Sequence, residues 1–264
     1  QSHRRNGSWS NYNSLQLQAT KRSAFGLSFL TSYTWSKTLG TSDTAGPGAY
    51  AYYAQDFYNR AADYGTSSYH YPHDLKLTFV YDLPMGPQGN VFTDGAAAYI
   101  MGGWQVSGIL RYRSGAPLRV TTGGYVSDAL FNPGIRPDVV SEDQTVSSLG
   151  ELDPINGTQY LNPSAFDTPP KTGNNVPERF GTAPRWLPRT RQFALLQEDI
   201  SLIKRTDLGF REGANFEIRF DMINFFNRTR WSGPNTNVTS ANFGRVFSKG
   251  GGPRRIQLGL RFTF

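Results

Sequence analysis

The sequence predicts an all-β fold, an antiparallel up-and-down transmembrane β-barrel segment of about seven strands with long extracellular loops. Apolar and polar residues alternate with a period of two in seven segments, as strands with two different faces require. Shorter and longer connections alternate strictly between these segments. Aromatic residues form 14% of a chain that is only 38% hydrophobic, which favours a sheet with one apolar and one wet face.

The first four predicted strands cover residues 14–22, 26–37, 75–82 and 103–113. Leucines alternate with glutamines in the first strand, and aromatic residues alternate with serines and threonines in the second. In the third and fourth strands, leucine, valine and aromatic residues alternate with charged, amide or hydroxyl side chains. Each segment, if it is extended, therefore presents an apolar face and a polar face.

The last three predicted strands cover residues 196–204, 215–221 and 255–264. The first of them is the least regular, because Glu198 and Ile203 break its alternation. The second sets phenylalanine and isoleucine against Glu217, Arg219 and Asp221. Charges two residues apart are costly in a dry core and acceptable in a water-filled lumen, so these three side chains are predicted to face the lumen.

The connections between the predicted strands are of two kinds. Residues 23–25 and 207–214 are short connections, and residues 83–102 are of moderate length. Residues 38–74, 121–195 and 222–254 are long and rich in Gly, Pro, Asn, Ser and Tyr. Strands that run up and down, with short turns at one end and long loops at the other, produce this order.

Two sets of aromatic residues are predicted near opposite ends of these strands. Amphipathic rings prefer membrane–water interfaces, so the two sets are expected to form two interface belts. Packing of the same rings inside a soluble sandwich is the alternative. The candidates are Tyr33, Trp35 and Tyr112 near the long loops, and Tyr81, Trp104 and Phe262 near the short turns.

Composition narrows the class of protein further. The chain has no cysteine, which excludes disulfides and thiolate metal sites. Its net charge of +7 is scattered rather than gathered into a basic run, so no nucleic-acid partner is expected. No apolar run approaches the roughly 20 residues of a transmembrane helix, which leaves strands as the spanning elements.

The first long connection is the best candidate for ligand contact, because it carries many aromatic side chains. Exposed rings could stack on a sugar or another flat ligand, or they could pack on one another to hold the loop together. The ligand-contact candidates are Tyr50, Tyr52, Tyr53, Phe57, Tyr58, Tyr64, Tyr69 and Tyr71.

The sequence gives little support for a catalytic site or a metal site. His70 and His73 are three residues apart, but Pro72 opposes a helix that would present both, and no third ligand is evident. All three histidines precede residue 74 and no nucleophile elbow is present, so no catalytic residue is predicted. We expect no enzyme activity, no metal and no cofactor.

The C-terminal residues resemble the terminal strand of outer-membrane proteins. In that family the alternating hydrophobic residues and the final aromatic residue are the signal that the barrel-assembly machinery reads. The matching residues here are Ile256, Leu258, Leu260, Phe262 and Phe264.

Further segments are similar to the barrels of Oar-like TonB-dependent receptors, in the expected order along the chain. They include NYNSLQLQ at 11–18, LSFLTSYTWSK at 27–37 and GWQVSGI at 103–109. SGAP at 114–117, FEIRFDMINFFN at 216–227 and NFGRV at 242–246 complete the set. The resemblance is to the family and does not indicate a ligand.

The resemblance implies a barrel of about 22 strands with a plugged lumen, of which residues 1–264 would be the C-terminal part. We expect the plug domain and the TonB-binding segment to belong to a longer protein, because neither is recognisable in this sequence. The implied location is the outer membrane of a Gram-negative bacterium. The implied partners are outer-membrane lipid, the barrel-assembly machinery, TonB through the missing N-terminal part, and an unknown extracellular ligand, either carbohydrate or peptide.

Two other functions compete with energised uptake by such a receptor. One is a soluble or surface all-β carbohydrate-binding module that uses the tyrosine-rich loop. The other is a complete small barrel, which would need an eighth spanning strand because single-chain bacterial barrels have even strand numbers. That strand would have to come from residues 123–190, which are dense in Pro and Gly.

Overall fold

Seven long strands dominate the computed structural model, which describes residues 7–43, 55–56, 58–87, 89–123 and 135–264. All seven predicted strands are present, and each differs from its predicted bounds by only a few residues. They are β1 (Ser10–Ala24), β2 (Leu27–Gly40), β3 (His73–Asp82), β4 (Trp104–Arg113), β5 (Leu195–Asp207), β6 (Asn215–Ile223) and β7 (Arg255–Thr263).

The seven strands form one antiparallel sheet in which each strand pairs with the next strand of the sequence. The up-and-down order predicted from the connections is therefore confirmed. A register shift between Lys21 and Ala24 bends the end of β1 beside the first tight turn. Within the described residues β1 and β7 each pair on one side only, so the sheet has two open edges.

The register carries the alternation of the sequence across the whole sheet. Leu17, Tyr33, Leu75, Tyr112 and Leu196 follow one another on five neighbouring strands and share one face. Intervening residues bring serine, threonine, amide and charged side chains to the other face. We call these the apolar face and the polar face of the sheet.

The buried core of the described residues lies outside the sheet. None of the buried hydrophobic side chains belongs to β1–β7, whereas leucines on the apolar face such as Leu17 and Leu258 are more than half exposed. The core is formed by the loops, in which Leu118, Leu161 and Leu187 are almost completely covered. Its side chains come from the second long loop (residues 114–194) and the third (224–254). The first long loop (41–72) contributes no buried hydrophobic side chain among its described residues.

The second long loop contains no eighth spanning strand among its described residues. Its strands, Asp138–Val139, Thr158–Gln159 and Phe166–Asp167, are two residues long each. Prolines cannot donate to a strand ladder, which explains why this Pro-rich stretch forms a compact layer over the strand ends instead. For residues 135–190 this agrees with the prediction that a Pro- and Gly-dense stretch does not supply a spanning strand. Residues 124–134 of the same stretch lie outside the described residues.

One short helix departs from the sequence prediction, which placed no helix in the chain. Gly95–Met101 forms α1 in the connection between β3 and β4. Its seven residues are too few to show the periodic apolar stripe by which an amphipathic helix is recognised in a sequence. Within the described part of the chain, no helix is long and apolar enough to cross a membrane.

Candidate functional site at the long-loop end of the sheet

The polar face carries charges that pair with one another across neighbouring strands. Arg111 of β4 donates to Asp74 of β3, with 3.1 Å between Nη2 and Oδ2. Lys76 lies 3.9 Å from the same carboxylate. These side chains are partly exposed, so the pairs satisfy each charge and add little to stability.

The three residues predicted to face the lumen lie together on the polar face of β6. Glu217 pairs with Arg205 of β5 at 2.9 Å, and Arg219 pairs with Asp221 at 2.8 Å. The Ser201 hydroxyl also donates to Asp221. Every charge of the sixth strand thus has an opposite partner on its own face.

Glu198 is the first exception to the alternation, because it lies on the apolar face of β5 between Leu196 and Ile200. It is completely covered. Arg228 of the third long loop donates from Nε to both carboxylate oxygens, at 2.9 and 3.1 Å. Tyr112 of β4 provides a further side-chain hydrogen bond. A buried carboxylate on this face is tolerated because these partners satisfy it.

Lys204 is the second exception and lies near the opposite end of the same strand. Its ammonium group donates to the backbone oxygen of Tyr99 at 2.8 Å and to that of Gly102. Both oxygens belong to the C-terminal end of α1, where carbonyls lack helical partners and attract cations. The uncharged stretch of β5 on the apolar face therefore runs between Glu198 and Lys204.

A first buried ion pair joins the first and second long loops. Arg185 lies 3.4 Å from Asp43, and the two side chains are 6% and 1% exposed. Arg185 also donates to the backbone oxygen of Gly40 at 2.7 Å, at the end of β2. The Trp186 indole donates to Asp43 as well. This cluster fixes the second long loop to the strand end from which the first loop starts.

A second buried pair fixes the same two loops further along. Arg136 donates to Asp63 at 2.8 Å, and its Nε donates to Gln55 at 3.0 Å. The Gln55 amide in turn donates to the Gly181 backbone oxygen at 2.8 Å. Burial lowers the pKa of the Arg136 guanidinium, and the neighbouring Asp63 carboxylate opposes that shift. The two buried pairs hold the first and second long loops together. Phe243 of the third long loop packs into the core of the second, and we call the three loops together the loop layer.

A cleft of about 140 Å³ opens where the polar face meets the loop layer. Its wall comes from the ends of β4 and β5 and from all three long loops, with the largest share from the second. Typical pockets for whole small ligands are roughly 300–1,000 Å³, so this cleft suits one terminal group of a ligand. It is lined by Tyr71, Arg113, Ser114, Gly115, Ala116, Gln192, Phe193, Ala194, Leu195, Arg230, Trp231 and Gly233.

Arg113 lies in this cleft without a carboxylate partner. The register places Asp74 opposite it, but that carboxylate pairs with Arg111 instead. The Arg113 guanidinium lies over the Tyr71 ring, with 4.2 Å from Cζ to the ring centroid. Its Nε is buried and has no hydrogen-bond partner within the described residues.

A family model described as an outer membrane beta barrel domain matches residues 2–257. The chain belongs to this family. Comparisons with curated proteins and with solved structures found no match. Membership places the protein in the outer membrane of Gram-negative bacteria, and it accounts for a sheet face on which leucines such as Leu17 and Leu258 are exposed.

In this outer-membrane barrel domain the six interface candidates lie on the apolar face or at its ends, three beside the long loops and three beside the short turns. Tyr33 donates or accepts a hydrogen bond with His73 Nδ1 at 2.8 Å, and the Trp104 indole donates to the Ile100 backbone oxygen at 3.1 Å. Trp35 is 47% exposed. Each ring thus lies on or at the end of the apolar face. The polar atoms of Tyr33 and Trp104 also form hydrogen bonds within the protein.

The tyrosine-rich candidates divide into four groups. Tyr50, Tyr52, Tyr53 and Phe57 lie outside the described residues. Tyr64 stacks on Trp9 with 4.2 Å between ring centroids, which is packing within the protein. Tyr58 and Tyr69 are exposed at 97% and 64%. Among the described candidates, Tyr71 alone lines the cleft.

His70 and His73 serve separate contacts in this domain. His70 Nδ1 accepts from the Thr38 backbone N–H at 3.4 Å, whereas His73 contacts the Tyr33 hydroxyl. Among described residues no group of three His, Cys, Asp or Glu side chains could hold a metal ion. The pair therefore contributes to the packing of the first long loop against β2.

The residues of the predicted assembly signal lie on the edge strand β7. Ile256, Leu258, Leu260 and Phe262 share the apolar face and are each more than half exposed, and Phe264 follows them at 79%. Phe262 and Phe264 have ring centroids 5.6 Å apart. The side chains that such a signal requires are therefore accessible on the outer side of an unpaired edge.

Sequence reasoning missed both the cleft and the Glu198–Arg228 pair. Glu198 gave a usable signal, because it interrupts the alternation of β5, but nothing pointed to Arg228 as its partner. Of the cleft residues, Tyr71 alone is among the sequence-predicted ligand contacts, and nothing in the sequence joins it to Arg113 and Arg230, which come from distant parts of the chain.

Proposed function

We propose that this domain is part of the wall and mouth of a TonB-dependent receptor that captures a solute outside the cell and imports it with energy passed on by TonB. The observation that carries the proposal is the layered arrangement of the polar face. A charged, hydrated strand surface ends beneath a folded loop layer, and an arginine-lined cleft opens at their junction.

Charge distribution supports transport through a lumen rather than a purely structural role. The polar face has paired charges at several levels, from Asp74 near the long loops to Glu217 near the short turns. Such a surface is costly in a dry core and suits a water-filled interior. In barrels of about 22 strands that interior is closed by a plug, which is the part through which TonB would act.

The rigid loop layer supports ligand capture at the mouth. Buried pairs Arg185–Asp43 and Arg136–Asp63 hold two loops together over the strand ends. A preordered surface loses less conformational entropy when a ligand binds than free loops would. A soluble carbohydrate-binding module would not need the continuous exposed apolar face of β1–β7, and family membership argues against it.

The test uses the native protein isolated from outer membranes. An antibody against the exposed segment around Gly150 should detect a band several times larger than 29.4 kDa, and that protein should bind the purified periplasmic domain of TonB. The isolated chain of residues 1–264 is the matched control and should not bind TonB. A native product near 29.4 kDa, or a larger one that does not bind TonB, would overturn the proposal.

A further inference from the structure

We propose that the cleft between Arg113 and Arg230 binds the carboxylate of an acidic solute, such as an acidic sugar. The proposal deepens the function above and rests on it, since it names the ligand chemistry at the mouth. It begins from the charge balance of the cleft lining, which contains two arginines and no aspartate or glutamate among the described residues.

Arg113 differs in this respect from its neighbours in the middle of the sheet. Arg111 of the same strand pairs with Asp74, and Arg205 of β5 pairs with Glu217. Neither Arg113 nor Arg230 lies within ion-pair distance of an acidic side chain in the described residues. Guanidinium groups that lack a carboxylate attract anions from solution.

Contacts within the protein fix the position of the Arg113 guanidinium in the cleft. Its guanidinium plane is supported by the Tyr71 ring at 4.2 Å, an arrangement that arginine favours. Its buried Nε has no acceptor in the described residues.

A third arginine reinforces the positive potential behind the cleft. Arg191 donates to the backbone oxygens of Gly115 and His70, at 3.2 and 2.9 Å. Gly115 forms part of the cleft wall, so the Arg191 charge lies directly behind it. No acidic side chain lies within ion-pair distance of Arg191 among the described residues.

The remaining lining favours a ring that carries the acidic group. Phe193 and Trp231 lie side by side in the wall, with ring centroids 5.7 Å apart. Aromatic side chains give large contact area at low conformational cost and pack against the apolar faces of flat ligands. A volume of about 140 Å³ admits one such terminal unit and leaves the rest of a longer solute outside.

The test measures binding of D-glucuronate to the native protein in detergent by isothermal titration, with D-glucose as the uncharged match. Glucuronate should bind and glucose should not. Arg113→Gln and Arg230→Gln should each weaken binding roughly tenfold, because each removes a charged hydrogen-bond donor. Arg211→Gln, in the exposed turn at the opposite end of β5, is the matched control and should leave the affinity unchanged.

Two outcomes would overturn the proposal. One is equal affinity for glucuronate in the Arg113→Gln and Arg211→Gln variants. The other is that the native protein binds no glucuronate. If the native protein binds TonB but not glucuronate, this inference alone is refuted. If it binds glucuronate but not TonB, the proposed receptor function alone is refuted.

Discussion

Arg228 reaches from the third long loop to the apolar face of β5 and holds the Glu198 carboxylate at 2.9 and 3.1 Å. The carboxylate is completely covered, while the arginine side chain is 42% exposed. The pair thus fixes the start of the third long loop, which follows β6, to the neighbouring strand β5. Breaking it leaves a charge buried at the end of the apolar face.

Arg228→Met is therefore expected to lower the free energy of unfolding by about 3 kcal/mol, the lower end for a broken buried pair, because Tyr112 still bonds the carboxylate. Guanidinium unfolding of the purified protein in detergent measures the change. The double variant Glu198→Gln/Arg228→Met removes the charge as well and should be clearly more stable than the single variant. Equal losses in both would show that the pair is not coupled.

Sequence alone predicted the sheet because a two-residue period is a local property of each strand. Leu17 and Tyr33 each belong to the apolar residues of their own alternating segment, and the register places them on one face of the sheet. Glu198 shows in the sequence only as a break in the alternation, because its partner Arg228 lies 30 residues away in a loop. Long-range pairs of this kind have no periodic signature.

The loop layer was unpredictable for a related physical reason. Its core combines Leu118, Leu161 and Phe243, which come from separate stretches of irregular chain. Their packing is set by turns, prolines and buried ion pairs rather than by repeating patterns. The cleft is unpredictable from the sequence for the same reason, since Tyr71 and Arg113 come into contact only when the loops are folded.

The buried pair Arg136–Asp63 gives a second prediction about the loop layer. Asp63→Asn should destabilise the layer by about 3 kcal/mol, because it leaves the Arg136 charge buried without its counter-ion. The loss should appear as faster proteolysis of the first and second long loops, with the strands still protected. Glu142→Gln is the control, because its pair with Arg189 is 92% and 86% exposed and contributes little.

Acidification should loosen the first long loop through His70. Burial lowers the pKa of His70 from its usual 6.5, and the charges of Arg191 and Lys37 act in the same direction. The folded state therefore binds the proton less readily than the unfolded state. Its contribution to stability is complete above the unfolded pKa near 6.5 and is lost as the pH falls below that value.

Hydrogen exchange at the Thr38 amide measures this effect, since that N–H donates to His70 Nδ1. Protection, corrected for the intrinsic exchange rate, should fall between about pH 7.5 and about pH 5. His70→Gln should flatten this pH dependence and His73→Gln should leave it in place. Unchanged Thr38 protection across the range would contradict the prediction.

The orientation of the sheet in the membrane can be tested with two peptide-tag insertions. Gly150 in the second long loop and Gly209 in the short turn after β5 are both exposed, and a Cβ at either would meet no atom within 4 Å. A tag after Gly150 should bind antibody on intact cells. A tag after Gly209 should bind only after the outer membrane is permeabilised, and the reverse result would invert the proposed orientation.

Adjacent residues of β5 provide the sharpest test of the two faces. Leu202 pairs with Val106 and Phe220 on the apolar face, whereas Ile203 pairs with Gln105 and Arg219 on the polar face. Leu202→Glu should cost roughly 2 kcal/mol, because it places a charge against lipid between Glu198 and Lys204.

Ile203→Glu introduces the same carboxylate one residue later and should be tolerated. The new side chain would lie in the hydrated lumen beside Arg219. The amount of folded protein in the outer membrane should therefore fall for Leu202→Glu and stay near the unmodified level for Ile203→Glu. If both variants assemble equally well, the apolar face of β5 does not contact lipid. If Ile203→Glu is the one that fails, the two faces are assigned in reverse.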